Sequence, residues 1–492
     1  MSQAAGARAP GILAALLFAA PPAAAAPVPP SLTLERCELE HPLKLTVVPA
    51  ECAVLEVPED PQESGGRRIG LKVARVPAIN RRRAADALFV LAGGPGQAAS
   101  DFYATVAGAF ERIHRDRDIV LVDQRGTGAS NPLACPEDED QIYRASVAEV
   151  SAWTQRCLEA VSGHARPAFY TTSLAVADLE RVRAALGYEQ LSLYGVSYGT
   201  RVAQHYLRRY PQHVRALILD GVVPPALAMG PDVAPNAEAA LRRILSRCAQ
   251  SIDCRARFPD PLADYQGLRR TLAARAVPVS VADPSGGRLR HLDFGPEELA
   301  SVLRLAGYSA DYAALLPLLL HGAAAHADYD ALAAQFLLLE RSYESIAAGM
   351  HNSVVCAEDV PFWGALDRAA LAQTFLGTAP VDSLAAICRS WPRGPADADL
   401  HAPLASAVPA LFLSGGDDPV TPPAYAHRAA AGFSHAREIV LPGFGHGQLS
   451  SPCMDRVLAQ FLITANAEQL DVSCTAAARP MPFFISVNGP PP

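Results

Sequence analysis

The stretch LSLYGVSYGT, residues 191–200, reads as a buried strand that runs into a glycine-bracketed serine and out into a helix. Its centre, Gly195-Val196-Ser197-Tyr198-Gly199, has the G-x-S-x-G spacing of a strand-to-helix turn that lifts a serine hydroxyl above a sheet. Glycine suits both flanking positions because such a turn packs its backbone against neighbours, where a Cβ would clash. The same five letters also spell a glycine-rich loop whose serine merely caps the next helix. The flanks decide between the two. LSLYG upstream is apolar as a buried strand is, and TRVAQHYLRRYP downstream keeps helical character until Pro211 stops it.

Outward from this turn, further strand patterns recur. AVLEV (53–57) and IGLKVARV (69–76) alternate as half-exposed strands do, whereas ALFVLAGG (87–94), DIVLVDQRG (118–126) and ALILDG (216–221) are continuous, as strands covered on both faces are. Helical segments lie between them. One is SLAVADLERVRAALG (173–187), where Leu179, Val182 and Leu186 share a face and Gly187 ends the run. Strand and helix alternate, which implies an α/β class with a mostly parallel sheet. From 226 to 405 the chain turns to alanine- and leucine-rich helical spacing without convincing strands, and VPALFLSGGDD and REIVLPGFGH then restore two buried strands. The expected organisation is a first core part at 27–225, a helical cap inserted at 226–405, a second core part at 406–478 and a proline-rich tail at 479–492, either a strap or disordered.

Residues 1–26 carry one positive charge at Arg8, an apolar stretch from Gly11 to Ala20 and small residues ending in Ala24-Ala25-Ala26, the pattern of an export signal cut near Ala26. Pro21 and Pro22 interrupt the apolar run well short of the ~20 residues that span a bilayer, so no membrane association is expected after cleavage. A formal charge of −8 without a basic run argues against nucleic acid as partner. Ten cysteines in an exported chain point to disulfides; the simplest pairing joins successive neighbours, Cys37/Cys52, Cys135/Cys157, Cys248/Cys254, Cys356/Cys388 and Cys453/Cys474. Neither C-x-x-C nor H-E-x-x-H occurs, so no metal is expected. These features place the protein outside the cytoplasm, secreted or periplasmic.

A serine hydroxyl needs a base within reach and an acid to orient that base. After Ser197, the strongest acid candidate is Asp418 in SGGDDPVTPP, following the strand ALFLS; the strongest base is His446 in GFGHG, following EIVL. Both sit where strand ends converge on a crevice. Asp417 and Asp220 rival Asp418, which is preferred because the proline-rich turn after it can aim it. A tetrahedral oxyanion needs two N–H donors: the amide of Tyr198 supplies one, and Gly94 in LAGGPGQ, with Gly93 as alternative, the other. Asp123 and Arg125 in DQRGTG read as a scaffolding pair rather than catalytic groups. In the cap, Glu358 and Asp359 of SVVCAEDVPFW are candidates to bind a substrate ammonium, with Phe362 and Trp363 walling the pocket.

The series GGPG (93–96), VDQRGTGAS (122–130), YGVSYGT (194–200), LDGVVPP (219–225), GGDDPVTPP (415–423) and GFGHG (443–447) resembles secreted α/β-hydrolases similar to tripeptidyl aminopeptidases and prolyl iminopeptidases. Ala92 precedes the glycines where prolyl iminopeptidases carry histidine, which tilts the likeness toward the tripeptidyl type. The resemblance implies an α/β-hydrolase fold with a helical cap after the sixth core strand. It also implies a cofactor-free serine peptidase that takes peptides with a free amino terminus. A carboxylesterase with the same triad is the alternative, since a triad does not name its leaving group.

Overall fold

The computed structural model describes residues 1–3, 6, 32–136, 146–284, 286–340 and 346–490. The expected export signal, 1–26, lies almost wholly outside the described residues. One mixed sheet organises the chain from nine strands: β1 (Glu35–Glu40), β2 (Val47–Pro58), β3 (Arg68–Val76), β4 (Ala87–Leu91), β5 (Ile119–Val122), β6 (Leu191–Val196), β7 (Val214–Asp220), β10 (Ala410–Gly415) and β11 (Ala436–Leu441). They lie in the order β1-β2-β3-β5-β4-β6-β7-β10-β11. Pairing is antiparallel from β1 to β5 and parallel from β5 onward. The continuous apolar runs become the parallel strands because helices cover both of their faces. In β4, Phe89 and Leu91 enter one core with Leu193 and Val120, while Leu88 and Val90 enter the opposite core with Tyr194 and Leu121. At about 25 cal/mol per Å² of apolar surface, these two layers are the principal source of stability.

Strand β1 was not expected. Its sequence, ERCELE, is half acidic, and its apolar face is only Cys37 and Leu39, too short a stripe to reveal it. Tertiary pairing with β2 and the Cys37–Cys52 disulfide hold it there, and its charges suit an exposed sheet edge. The other four disulfides also join the expected neighbours, Cys135–Cys157, Cys248–Cys254, Cys356–Cys388 and Cys453–Cys474.

The long excursion between β7 and β10 is helical, with Val233–Gln250, Pro261–Ala274, Pro296–Ala306, Leu316–His326 and Ala348–Glu358 among its helices. It has a core of its own around Leu245, Phe258, Tyr265 and Leu299. The excursion leaves the sheet after the sixth core strand once the extra β1 is set aside. The expectation of no strands within it is corrected: β8 (Val277–Ala282) and β9 (Leu289–Phe294) form an antiparallel hairpin. One face of the hairpin, Val277, Val279 and Val281 with Leu292 and Phe294, packs on the cap core while the other is solvated. Each strand is only six residues long and alternates, so it lacks the continuous apolar run of the parallel strands. The tail is a strap. Phe484 N donates to the Ala314 carbonyl at 3.1 Å, and the Arg247 guanidinium covers the Phe483 ring at 4.7 Å.

Candidate active site

At the end of β6, Ser197 has φ 55° and ψ −123° and makes no side-chain cap bond to the following helix, Tyr198–Arg209. The helix-capping alternative therefore does not hold. Such a backbone costs about 1–3 kcal/mol in a residue with a Cβ, and the surrounding contacts impose it. A Cβ on Gly195 would lie 2.4 Å from the Gly199 carbonyl, and one on Gly199 would lie 2.3 Å from the Leu91 carbonyl. The serine amide donates to the Asp220 carbonyl at 2.9 Å, which ties the turn to β7.

Asp418 and His446 meet beside this turn. His446 Nδ1 lies 2.8 Å from Asp418 Oδ2. Asp418 Oδ1 accepts from the amides of Val420 and Thr421, each at 2.8 Å, and Oδ2 also accepts from Thr421 Oγ1 at 2.8 Å. The proline-flanked turn thus aims the carboxylate. Burial opposes charging either group, but their mutual attraction wins: Asp418 is held below the usual carboxylate range and His446 above the usual histidine value. The histidine is fixed from several sides. Its amide donates to the Tyr308 carbonyl at 2.9 Å, the Tyr308 ring stands edge-on to the imidazole at 5.2 Å, and a Cβ on Gly221 would fall 2.8 Å from its Cε1. Gly447 faces Val196, the neighbour of Ser197, so the histidine loop and the serine turn adjoin.

The two rival acids have other partners. Asp417 lies 3.2 Å from Arg247 and 3.4 Å from Arg243. Both oxygens of Asp220 accept from Gln448 N at 2.8 Å, and Oδ2 also from the Tyr194 hydroxyl at 2.8 Å. Burial pushes the Asp220 carboxyl up to about 6. Asp220 thus orders the histidine loop two residues beyond His446.

In the loop after β4, Gly94 has φ 104°, a conformation suited to glycine. The Gly93 amide is taken by Gln97 Oε1 at 3.3 Å, and a Cβ at Gly93 would sit 3.2 Å from Ser197 Cβ. This favours Gly94 over Gly93 as the free donor opposite Tyr198, the first residue of the helix after the serine.

Two expectations are corrected. Asp123 and Arg125 both scaffold the site's loops but do not pair with each other. Asp123 accepts from Ser100 N at 2.9 Å and Ser100 Oγ at 3.0 Å, whereas Arg125 makes a bidentate bond to Asp178 at 2.7 and 3.0 Å. Nor do Glu358 and Asp359 stand open to an ammonium, since both are fully buried. Asp359 is neutralised by Arg201 at 2.7 and 3.1 Å, and Glu358 accepts from Thr172 N at 2.6 Å and Thr172 Oγ1 at 2.7 Å. Charge that deep must be paired within the protein, and Arg201 and Thr172 meet that need. Phe362 lies exposed, and Trp363 packs on Gly230 with its indole N–H donating to the Met229 carbonyl at 2.8 Å. Thr172, Arg201, Tyr308 and Gln448 carried no signal in the sequence. Thr421 did, as the only hydroxyl in the PVTPP turn.

The alpha/beta hydrolase fold family matches residues 86–450, and the chain belongs to that family. Among its relatives, a protein named "Serine protease Hip1" from Mycobacterium tuberculosis (strain ATCC 25618 / H37Rv) is 33% identical over 195 residues, 36% of either chain. A "Tripeptidyl aminopeptidase" from Streptomyces lividans is 31% identical over 196 residues, again 36% of each. This chain thus matches about a third of the length of those two relatives. A "Carboxylesterase B" from Mycobacterium tuberculosis (strain CDC 1551 / Oshkosh) is 28% identical over 481 residues, 86% of each chain.

Proposed function

We propose that this protein is a serine exopeptidase, secreted or periplasmic, that removes residues or short peptides from peptide amino termini. The observation that carries the reading is the Asp418–His446 hydrogen bond of 2.8 Å beside the strained serine turn. Ser197 Oγ attacks the scissile carbonyl carbon while His446 Nε2 takes its proton, and the carbonyl oxygen becomes an oxyanion between the amides of Gly94 and Tyr198. His446 then gives that proton to the leaving amine. A water repeats the sequence on the acyl-enzyme and frees Ser197. Asp418 holds the imidazole with Nδ1 protonated and stabilises the cation formed during each transfer. Five disulfides support an oxidising compartment. The peptidase names of two relatives support a peptide substrate.

A second reading, a carboxylesterase with the same triad, is favoured by the relative of that name matched over 86% of the chain. One assay separates them: kcat/KM for a chromogenic peptide with a free and with an acetylated amino terminus, beside a simple ester. Strong preference for the free amine supports the exopeptidase. Equal cleavage of both peptides overturns it, and turnover of the ester alone establishes the esterase. Loss of all turnover in Ser197→Ala is required by either reading.

A further inference from the structure

One cap helix touches both sides of the oxyanion hole. At its start, Ala347 N donates to the Gly96 carbonyl at 3.0 Å, and the His351 ring donates to the carbonyl of Pro95. Gly96 packs so closely here that a Cβ would lie 2.8 Å from the Ala347 carbonyl oxygen. The Gly94 loop is therefore seated on the beginning of the helix Ala348–Glu358.

Its end reaches the other donor. The Tyr198 hydroxyl lies 2.7 Å from Thr172 Oγ1, and that oxygen gives its own proton to Glu358 Oε2 at 2.7 Å. Tyr198 is thus the donor at the head of a three-member relay that ends on a buried carboxylate. Glu358 Oε1 takes the Thr172 amide at 2.6 Å, so the threonine is gripped at two points. Arg201, from the same helix as Tyr198, clamps the adjacent Asp359 and lies 3.8 Å from Glu358. Cys356–Cys388 fixes the last turn of the cap helix.

A fully buried carboxylate is a costly way to fill space, and an apolar side chain of similar volume often serves stability as well or better. What Glu358 supplies that an apolar residue cannot is a directional hold, through Thr172, on the residue whose amide faces the oxyanion. Burial pushes the Glu358 carboxyl up to about 7 against the opposing pull of Arg201, a cost consistent with a role other than packing.

We propose that Glu358 is a positioning residue for the oxyanion hole, acting through Thr172 on Tyr198, and that the helix bearing it seats the Gly94 side as well. The proposal rests on the assignment of Ser197 as nucleophile with Tyr198 and Gly94 as donors. A donor displaced by a fraction of an ångström stabilises the transition state less, yet leaves the ground-state complex nearly unchanged. The effect belongs in kcat.

The test compares wild type, Glu358→Gln, Thr172→Val and Tyr198→Phe on three substrates: a free-amine peptide, its acetylated form and an ester without any amine. Each variant is expected to lose about tenfold in kcat on whichever substrates the wild type turns over. That is part of the 10²–10³-fold lost when one oxyanion donor is removed. KM should stay within about twofold, and Glu358→Gln should add little in the Tyr198→Phe background, as members of one relay do. A rise in KM confined to free-amine peptides overturns the proposal and restores Glu358 as an ammonium site. Unchanged kcat in the variants also overturns it. If Glu358→Gln does not fold, Tyr198→Phe decides alone, since it removes one hydroxyl and keeps the ring; wild-type kcat there ends the relay. Failure of the underlying assignment is read separately, as turnover surviving in Ser197→Ala.

Discussion

Replacing Asp418 by asparagine keeps the shape of the acid and reverses what His446 meets. Two fixed backbone donors, Val420 N and Thr421 N, both point at Oδ1 at 2.8 Å. The asparagine must turn its carbonyl oxygen to them, which places its NH2 where Oδ2 now accepts from His446 Nδ1. A donor there forces Nδ1 to accept and moves the imidazole proton to Nε2, the atom that must receive the proton of Ser197. The expected loss in kcat is ~10⁴-fold, or about 5 kcal/mol of transition-state stabilisation. Asp418→Ala should be the less damaged variant. It leaves Nδ1 free to carry its proton and donate to Thr421 Oγ1, already 3.0 Å away. The assay is kcat on a chromogenic substrate, normalised to sites that react with a fluorophosphonate. Asn more active than Ala would refute the tautomer argument, and Asp220→Asn more damaging than Asp418→Asn would move the acid role to Asp220. Folding favours the ionised Asp418, so this contribution to stability is present above its ordinary value of 3.8 and disappears as pH falls through the lower folded value. The Asn variant should therefore melt below wild type at neutral pH, and the gap should narrow in acid.

The remaining expectations concern the turn, the base and the thiols. Ser197→Gly should be inactive yet at least as stable as Ser197→Ala, because glycine relieves the positive φ by an amount that offsets its ordinary penalty of about 0.5–1 kcal/mol; a lower melting temperature for Gly than for Ala contradicts the strain argument. His446 must be neutral to accept a proton and is raised above 6.5, so the acid limb of kcat/KM should lie above that value and move down in Asp418→Ala. A limb at or below 6.5 in wild type refutes the coupling. Gly199→Ala should leave little folded protein, since its Cβ would sit 2.3 Å from a carbonyl of β4; soluble, active protein at wild-type yield contradicts this. Alkylation without reductant should modify none of the ten cysteines in the intact protein, read by mass, and several modified thiols would remove the oxidised picture.

Much of the site was written in short segments of chain. The serine turn spans five consecutive residues because its geometry is a backbone property, and glycine, proline and apolar runs report backbone geometry directly. The same holds for the turn after Asp418 and the glycine loop at 93–96, each announced by a strand just before it. Apolar continuity told parallel, doubly covered strands from the alternating ones at the sheet edge. Strand β1 and the β8–β9 hairpin escaped because their apolar stripes are short and alternating, Cys37 and Leu39 in one and Val277, Val279 and Val281 in the other, within otherwise polar or helix-like surroundings. Pairing partners hold them, and pairing leaves no local mark.

What the sequence could not decide was which charged groups face one another. The turn after Asp418 set it apart from Asp417 and Asp220, but the donors each carboxylate takes were not legible: folding brought the imidazole to Asp418, two arginines to Asp417 and the amide of Gln448 to Asp220. Glu358 and Asp359 read as an open acidic pair, yet the fold set Thr172 and Arg201 against them from 186 and 158 residues away. Turn chemistry acts between near neighbours and is legible from them. The partner of a buried charge is chosen by the packing of distant segments around it, and only the tertiary structure makes that choice.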